Sequence, residues 1–228
     1  MTDAHCHIES PDADRCFVCE ISPVEISGRS VPFYGCHPWW AEKCDIPALR
    51  ERLLAEPFAG VGEIGLDRLK DRNISPVSRK VFEDQLALAA ELGRPVVLHG
   101  AKCWGEVVKA CKPYVGRIPA FLFHGFSRSA GLVPEIAAMN GFVSIGPAIL
   151  NDHALNYRQM AAQLPEAILL AETDLTADTP LAERPKLTEI VVKLAELRSV
   201  DYDRLVSALD ANAGRFIKVL DANRANLI

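Results

Sequence analysis

The sequence predicts an α/β fold, a TIM-type (β/α) barrel that is distorted or incomplete in its N-terminal third, and three observations predict it. Short apolar runs such as FAGVG, PVVL, AFLF and ILLA have the composition of strands buried on both faces of a parallel sheet. Through the later two thirds these runs alternate with segments of helical periodicity, the rhythm of successive βα units. Six metal-capable side chains, His5, His7, Glu63, His99, His124 and Asp174, fall where the runs end, although about 170 residues separate the first from the last. A parallel barrel gathers the C-terminal ends of its strands at one rim, so distant residues of this kind are expected to meet.

Strands are expected near 2–6, 15–21, 31–36, 58–62, 95–98, 119–123, 142–145 and 168–172. In DAHCH, His5 and His7 are two apart on an extended segment and project from the same side. Only about eight residues separate successive members of the first three strands, whereas a parallel crossover normally needs a dozen or more. The expectation is therefore that RCFVCEI runs antiparallel to its neighbours and that the first two outer helices are missing. One wall of the site is then more open, or covered by another subunit. After the fourth strand, Ser75 and Pro76 start a helix, Val77, Val81, Phe82, Leu86, Ala89 and Ala90 form its apolar face, and Gly93 with Pro95 ends it. Further helices are expected over 103–112, 129–140, 152–164, 183–198 and 202–220.

With 228 residues and 49% hydrophobic content, the chain is expected to form one undivided domain, residues 1–228. A net charge of −5 excludes attraction of nucleic acid by a global basic field, so a polyanion must meet local cations. No stretch approaches the roughly 20 apolar residues of a membrane span, so no membrane partner is expected. Seven cysteines without a secretory leader point to reduced thiols and a cytoplasmic location. Cys16 and Cys19 make a lone CxxC whose side chains point to opposite faces of a strand, and they read as core thiols. Cys103 reads as inert and buried. Trp39, Trp40 and Trp104 follow strand ends; one or two can line the cleft and stack on a base, with ordinary packing expected for at least two.

Imidazoles mixed with carboxylates suit zinc or manganese better than magnesium, and the set reads as the centre of a divalent-metal hydrolase. Taken singly, each residue has a plainer use: a histidine near a strand end is commonly a hydrogen-bonded structural residue, and Glu63 or Asp174 could cap a helix or loop. The set is harder to dismiss. Of six histidines, His5, His7, His37, His99 and His124 end or follow an expected strand, and only His153 does not.

DAHCHIE, YGCHPWW, GVGEIGLD, FEDQLALAAELGRPVVLHGAK, FLFHGFSRS, GFVSIGPAI and LLAETD, in that order and spacing, resemble the TatD-type metal-dependent deoxyribonucleases, and DANAGRF resembles their C-terminal Asn-containing helix. The resemblance implies a TIM barrel with two divalent metal ions (zinc, manganese or magnesium) and hydrolysis of DNA phosphodiesters at strand ends by a metal-activated water. It implies that His5, His7, Glu63 and Asp174 hold one metal, and that Glu63 bridges to a second held by His99 and His124. Asp174 is also placed to act as general base. His37 is expected either to contact a substrate phosphate or to serve as a turn residue before Pro38. Asp67 is expected either to orient a metal ligand or to cap its loop, and Ser127 and Arg128 either to offer donors to phosphate or, Arg128 at least equally, to be solvated surface. TatD-like sequences usually carry an arginine two residues after the fifth-strand histidine; here that position is Ala101, and Lys102 follows as a point charge. That departure keeps open a hydrolase of a small phosphoester, amide or lactone built on the same six ligands. A non-catalytic barrel that binds a partner through its N-terminal flank is the remaining alternative. The chain is expected to be a monomer or small homo-oligomer.

Overall fold

The computed structural model describes residues 1–21, 24–70, 72–127 and 129–225. Eight strands, β1 (Thr2–Cys6), β2 (Arg15–Glu20), β3 (Val31–Tyr34), β4 (Gly60–Asp67), β5 (Val96–Ala101), β6 (Phe121–Phe123), β7 (Gly141–Ile145) and β8 (Leu169–Ala171), form one sheet in sequential order. Every pairing is parallel. Just past β8, the sheet is drawn round to β1: Thr173 N donates to Asp3 Oδ1 (3.0 Å), Asp174 N to His5 O (3.0 Å) and His7 N to Leu175 O (2.8 Å). The result is a nearly closed TIM-type barrel.

The antiparallel reading of RCFVCEI is corrected. Asp3 pairs with Cys16 and Phe17 with Val31, both in parallel register. The dozen-residue minimum allows for a helix in the crossover. Residues 7–14, if extended, reach about 26 Å, more than the roughly 17 Å needed to run back past a five-residue strand. The outer helices are missing as expected: among the described residues no helix precedes the 3-10 turn Pro38–Lys43. Ile8, Ala13, Val24 and Ile26 from the connections lie instead over Cys6, Cys16 and Val18.

Helices α1 (Ile46–Ala55), α2 (Pro76–Leu92), α3 (Trp104–Cys111), α4 (Val133–Ala138), α5 (Leu155–Gln163), α6 (Leu187–Arg198), α7 (Tyr202–Phe216) and α8 (Lys218–Ala225) follow. The sequence reading did not include α1, which Asp45 caps by accepting from Ala48 N. The expected 202–220 helix is broken at Ile217 (φ −96°, ψ 9°). That break leaves Phe216 under the barrel, its ring centroid 5.6 Å from Phe17, 5.8 Å from Phe33 and 5.8 Å from Phe142. Asn212 of α7 seals the same end, donating to Glu166 O (2.7 Å) and Leu169 O (2.8 Å).

Strand alternation then sets the layers. Val97, Leu122 and Leu170 join Phe216 in an inner apolar cluster, while their neighbours Val96, Leu98, Phe121, Phe123, Leu169 and Ala171 belong to the cluster packed under the helices. Two residues further along, the inward positions are His99, His124 and Glu172, so the barrel interior turns from apolar to polar in one step.

β4 runs past the expected 58–62 to Asp67, with all eight residues buried. Glu63 therefore lies inside a strand, not at its end. Gly65 permits this, because its φ is +152° and a Cβ there would come within 2.0 Å of His99 O. Register irregularities fall between Asp3 and Cys6 in β1 and between Val61 and Ile64 in β4. Each brackets a metal-capable residue, His5 or Glu63, and bulges re-aim side chains in this way.

The expectation of reduced thiols is corrected at one pair. Cys36 and Cys44 are disulfide-bonded, their Cα atoms 5.7 Å apart at the two ends of the Pro38–Lys43 turn. Cys6, Cys16, Cys19, Cys103 and Cys111 are free and buried. No helix among the described residues is long and apolar enough to cross a membrane.

Candidate active site

Glu63 is buried at the centre of five imidazoles. Its Oε2 lies 3.5 Å from His5 Nε2 and 3.5 Å from His7 Nε2. Its Oε1 lies 2.6 Å from His99 Nδ1, 2.7 Å from His124 Nε2 and 3.5 Å from His37 Nε2. Asp174 Oδ1 completes the first group, 3.4 Å from His5 Nε2 and 3.5 Å from His7 Nε2. All six residues singled out from the sequence thus converge, and one carboxylate faces two groups with different oxygens.

The donor set fits a cation. Ligand bonds of about 2.0–2.1 Å to a tetrahedral ion separate the ligand atoms by about 3.3–3.4 Å, and the spacings around His5 and His7 are 3.4–3.5 Å. Both ring nitrogens of His5 and Nδ1 of His124 are buried without a hydrogen-bond partner. Of these, His5 Nε2, which faces the carboxylates of Glu63 and Asp174, is the nitrogen that a cation would complete. The half around His99 and His124 is tighter, with 3.3 Å between His99 Nδ1 and His124 Nε2.

Electrostatics point the same way. Burial alone would force Glu63 to neutralise, yet the surrounding imidazoles, His124 foremost, hold it ionised well below the usual carboxylate range. Burial likewise opposes ionisation of Asp174, but His5 and His7 pull it below its usual range. For His7, His99 and His124, burial disfavours the charged ring, but nearby carboxylates outweigh it and the shift is upward. His5, wholly buried and beside His124, is shifted downward.

Several groups fix the rings. His7 Nδ1 lies 2.8 Å from Cys19 O, and His99 Nε2 lies 3.1 Å from Asp67 Oδ2. Sequence reading missed Asp3 and Glu172. Asp3 accepts from His5 N, Thr173 N and the hydroxyls of Thr173 and Ser10, and burial, against those bonds, pushes it up to about 7. Glu172 accepts from Gly125 N and Ser144 Oγ and faces His124 Nδ1 at 3.5 Å. Their signal was available: Asp3 stands two residues before His5, and Glu172 two before Asp174, the spacing of one strand face.

With the geometry established, similarity decides the family. A sequence model of the TatD related DNase family matches residues 19–218. The chain belongs to the TatD related DNase family. The 3'-5' ssDNA/RNA exonuclease TatD of Yersinia pseudotuberculosis is 28% identical over 230 residues, covering 93% of this chain and 87% of its own. An uncharacterized metal-dependent hydrolase, YabD of Bacillus subtilis, is 27% identical over 181 residues, 77% of this chain and 71% of its own. The crystal structure of YJJV, a TatD homolog from Escherichia coli K12, superposes with a TM-score of 0.83 at 23% identity, covering 95% and 97% of the two chains; at that identity it shows the fold. As a TatD family member the protein is a metal-dependent hydrolase. The matched span begins after His5 and His7, so those two positions rest on the geometry above.

Around this TatD-type centre the other expected residues separate. His37 fills the turn role at Pro38, its Nδ1 accepting from Trp39 N (3.2 Å), while its Nε2 faces Glu63 at 3.5 Å. Lys102 is exposed and lines a cavity shared with His99, His124, Ser127 and Asp174. Lys102 (φ +56°) and Asp174 (φ +52°) both adopt the left-handed region, a conformation that costs energy and gathers at functional sites. Arg128 lies outside the described residues. Cys103 is buried and pushed up to about 11, an inert thiol, as expected. Two tryptophans line the cleft, within the expected one or two, and the expectation of ordinary packing for at least two is corrected: Trp104 packs in the core, whereas Trp39 and Trp40 both stand at the mouth of the site.

Proposed function

We propose that this TatD family hydrolase cleaves DNA phosphodiester bonds from a strand end, using two divalent cations (zinc, manganese or magnesium). The observation that carries the reading is the two-sided contact of Glu63, Oε2 toward His5 and His7 and Oε1 toward His99 and His124. His5, His7, Asp174 and Glu63 Oε2 would hold one ion; Glu63 Oε1, His99 and His124 would hold the other. A bound pair supplies an acidified water and stabilises charge on attacking and leaving oxygens.

The chain's own residues do the rest. Asp174, half exposed at the junction of the site's cavities, is placed to accept the proton of the attacking water. Cys19 O and Asp67 each take the ring proton on the far nitrogen of His7 or His99, which leaves the near nitrogen free to coordinate. His37, Lys102 and Ser127 stand where they can donate to phosphate oxygens. The names of relatives such as the Yersinia exonuclease favour a 3' end and single strands.

Metal analysis coupled to a time course on end-labelled single-stranded DNA tests the reading. Two metal equivalents with stepwise shortening is the expected result. Absence of shortening with zinc, manganese and magnesium, alongside turnover of a small phosphoester, amide or lactone, would replace DNA with that substrate class.

A further inference from the structure

Trp39 is 48% and Trp40 41% exposed, and Ile21, 41% exposed, shares with them a cavity of about 190 Å³ whose floor includes Glu63, His99 and Asp174. Exposed indoles are usually disfavoured, and large apolar surface beside a polar centre marks a binding site. These two are also held in place. Trp39 Nε1 donates to Asp67 Oδ2 (2.7 Å), the same oxygen that faces His99, and the Lys70 ammonium lies 5.0 Å from the Trp39 ring centroid. Trp40 meets Trp39 edge-on at 6.0 Å and carries no side-chain hydrogen bond among the described residues. The turn that bears them is closed by the Cys36–Cys44 disulfide, and Gln85 clamps Cys36 by donating to its carbonyl and accepting from its N–H. A rigid aromatic surface loses little conformational entropy when a flat ligand stacks on it.

Resting on the phosphodiesterase reading above, we propose that Trp40, backed by Trp39 and faced by Ile21, is the subsite for the nucleobase of the nucleotide whose phosphate enters the Glu63 cluster. Charge favours this side. Lys70 and Lys102 stand here, and neither is in an ion pair among the described residues. The larger cleft beyond Asp174, about 1370 Å³, is the more acidic side: its described lining carries Glu172, Glu183 and Glu189, the last paired with Lys186, and Arg184. Stacking uses the face that every base possesses, so the subsite tolerates sequence and rejects a sugar-phosphate without a base.

The test compares Trp40→Ala with the parent chain, both metal-loaded, and with Trp40→Phe as the conservative control. Thymidine 5'-monophosphate is expected to quench tryptophan fluorescence saturably and 2-deoxyribose 5-phosphate to do so weakly; Trp40→Ala should lose the difference and Trp40→Phe retain part of it. On single-stranded oligonucleotides, the parent should favour an ordinary terminal nucleotide over a tetrahydrofuran abasic one by roughly 10-fold or more in KM, and Trp40→Ala should level the two. Equal quenching by both monophosphates, or a base preference that survives Trp40→Ala, overturns the proposal. If the protein degrades no DNA at all, the nuclease reading falls and the fluorescence comparison still decides this one.

Discussion

His99 Nε2 lies 3.1 Å from Asp67 Oδ2, on the opposite side of the ring from the Nδ1 that faces Glu63 at 2.6 Å. The carboxylate therefore selects the tautomer and the tilt of the imidazole, while Leu69 N and Lys70 N hold its other oxygen at 2.6 and 2.9 Å. Replacing Asp67 by Ala is expected to weaken metal binding about 10- to 100-fold without unfolding the barrel. Competition with a chromophoric chelator, alongside circular dichroism, measures both. Unchanged affinity would show that Asp67 only organises its own loop.

Glu63→Gln removes the charge that the two proposed cation positions would share. Hydrolysis is expected to fall about 1,000-fold or more, because several kcal/mol of charge stabilisation is lost with the metals. Elemental analysis should show substoichiometric metal in the same preparation. A variant with full metal content would contradict the bridging role.

Without metal, the cluster's charges fix the pH dependence of stability. His7, His99 and His124 have raised pKa values, so their contribution is complete below the ordinary imidazole value of 6.5 and is lost as pH rises through the folded values. Asp3, pushed up to about 7, loses its contribution between its ordinary range and neutrality. His5, shifted down, works the other way. Glu63, Asp67 and Asp174 are lowered, so their contribution is present above the ordinary carboxylate range and lost in acid. Chelator-treated protein should therefore have its highest Tm in weakly acidic buffer and lose stability from pH 6 to 8.5. Metal binding requires neutral imidazoles, so metal-loaded protein should hold or gain Tm over the same interval. Parallel thermal scans decide it; identical profiles would mean that the imidazoles do not take up metal.

Lys102→Ala should raise KM for an oligonucleotide about 10-fold and reduce the slope of log affinity against log salt by about 0.7, the loss of one phosphate contact on a single strand. Lys102→Arg should restore most of the affinity. An unchanged salt slope would remove Lys102 from the substrate path.

Asn212→Ala leaves the carbonyls of Glu166 and Leu169 without their side-chain donor. A loss of about 2 kcal/mol is expected, or about 4–8 °C in Tm, with metal content unaffected. A change in metal content at constant Tm would link this end of the barrel to the site in a way the contacts do not suggest.

What could be read from the sequence was local. The candidate ligand set was legible because side-chain chemistry and two-residue strand alternation are visible in short windows such as DAHCH, PVVLHG and AFLFHG. The α2 boundaries were legible for the same reason, Ser75 capping and Gly93 adopting φ +63° as a helix terminator requires. The glycine-rich GVGEIGLD hid the continuation of β4, because the close approach of His99 O that demands Gly65 is a contact across 34 residues of chain.

By itself, then, the sequence determined which chemistry the chain carries and that parallel strands would bring it to one rim. Tertiary structure alone decided that β2 runs parallel, that Cys36 meets Cys44, and that Asp67 ties Trp39 to His99. The physical reason is that composition and periodicity record what each segment can do. Chain reach, bulges and the pairing of distant polar groups are settled only when burial forces every donor and acceptor to find a partner.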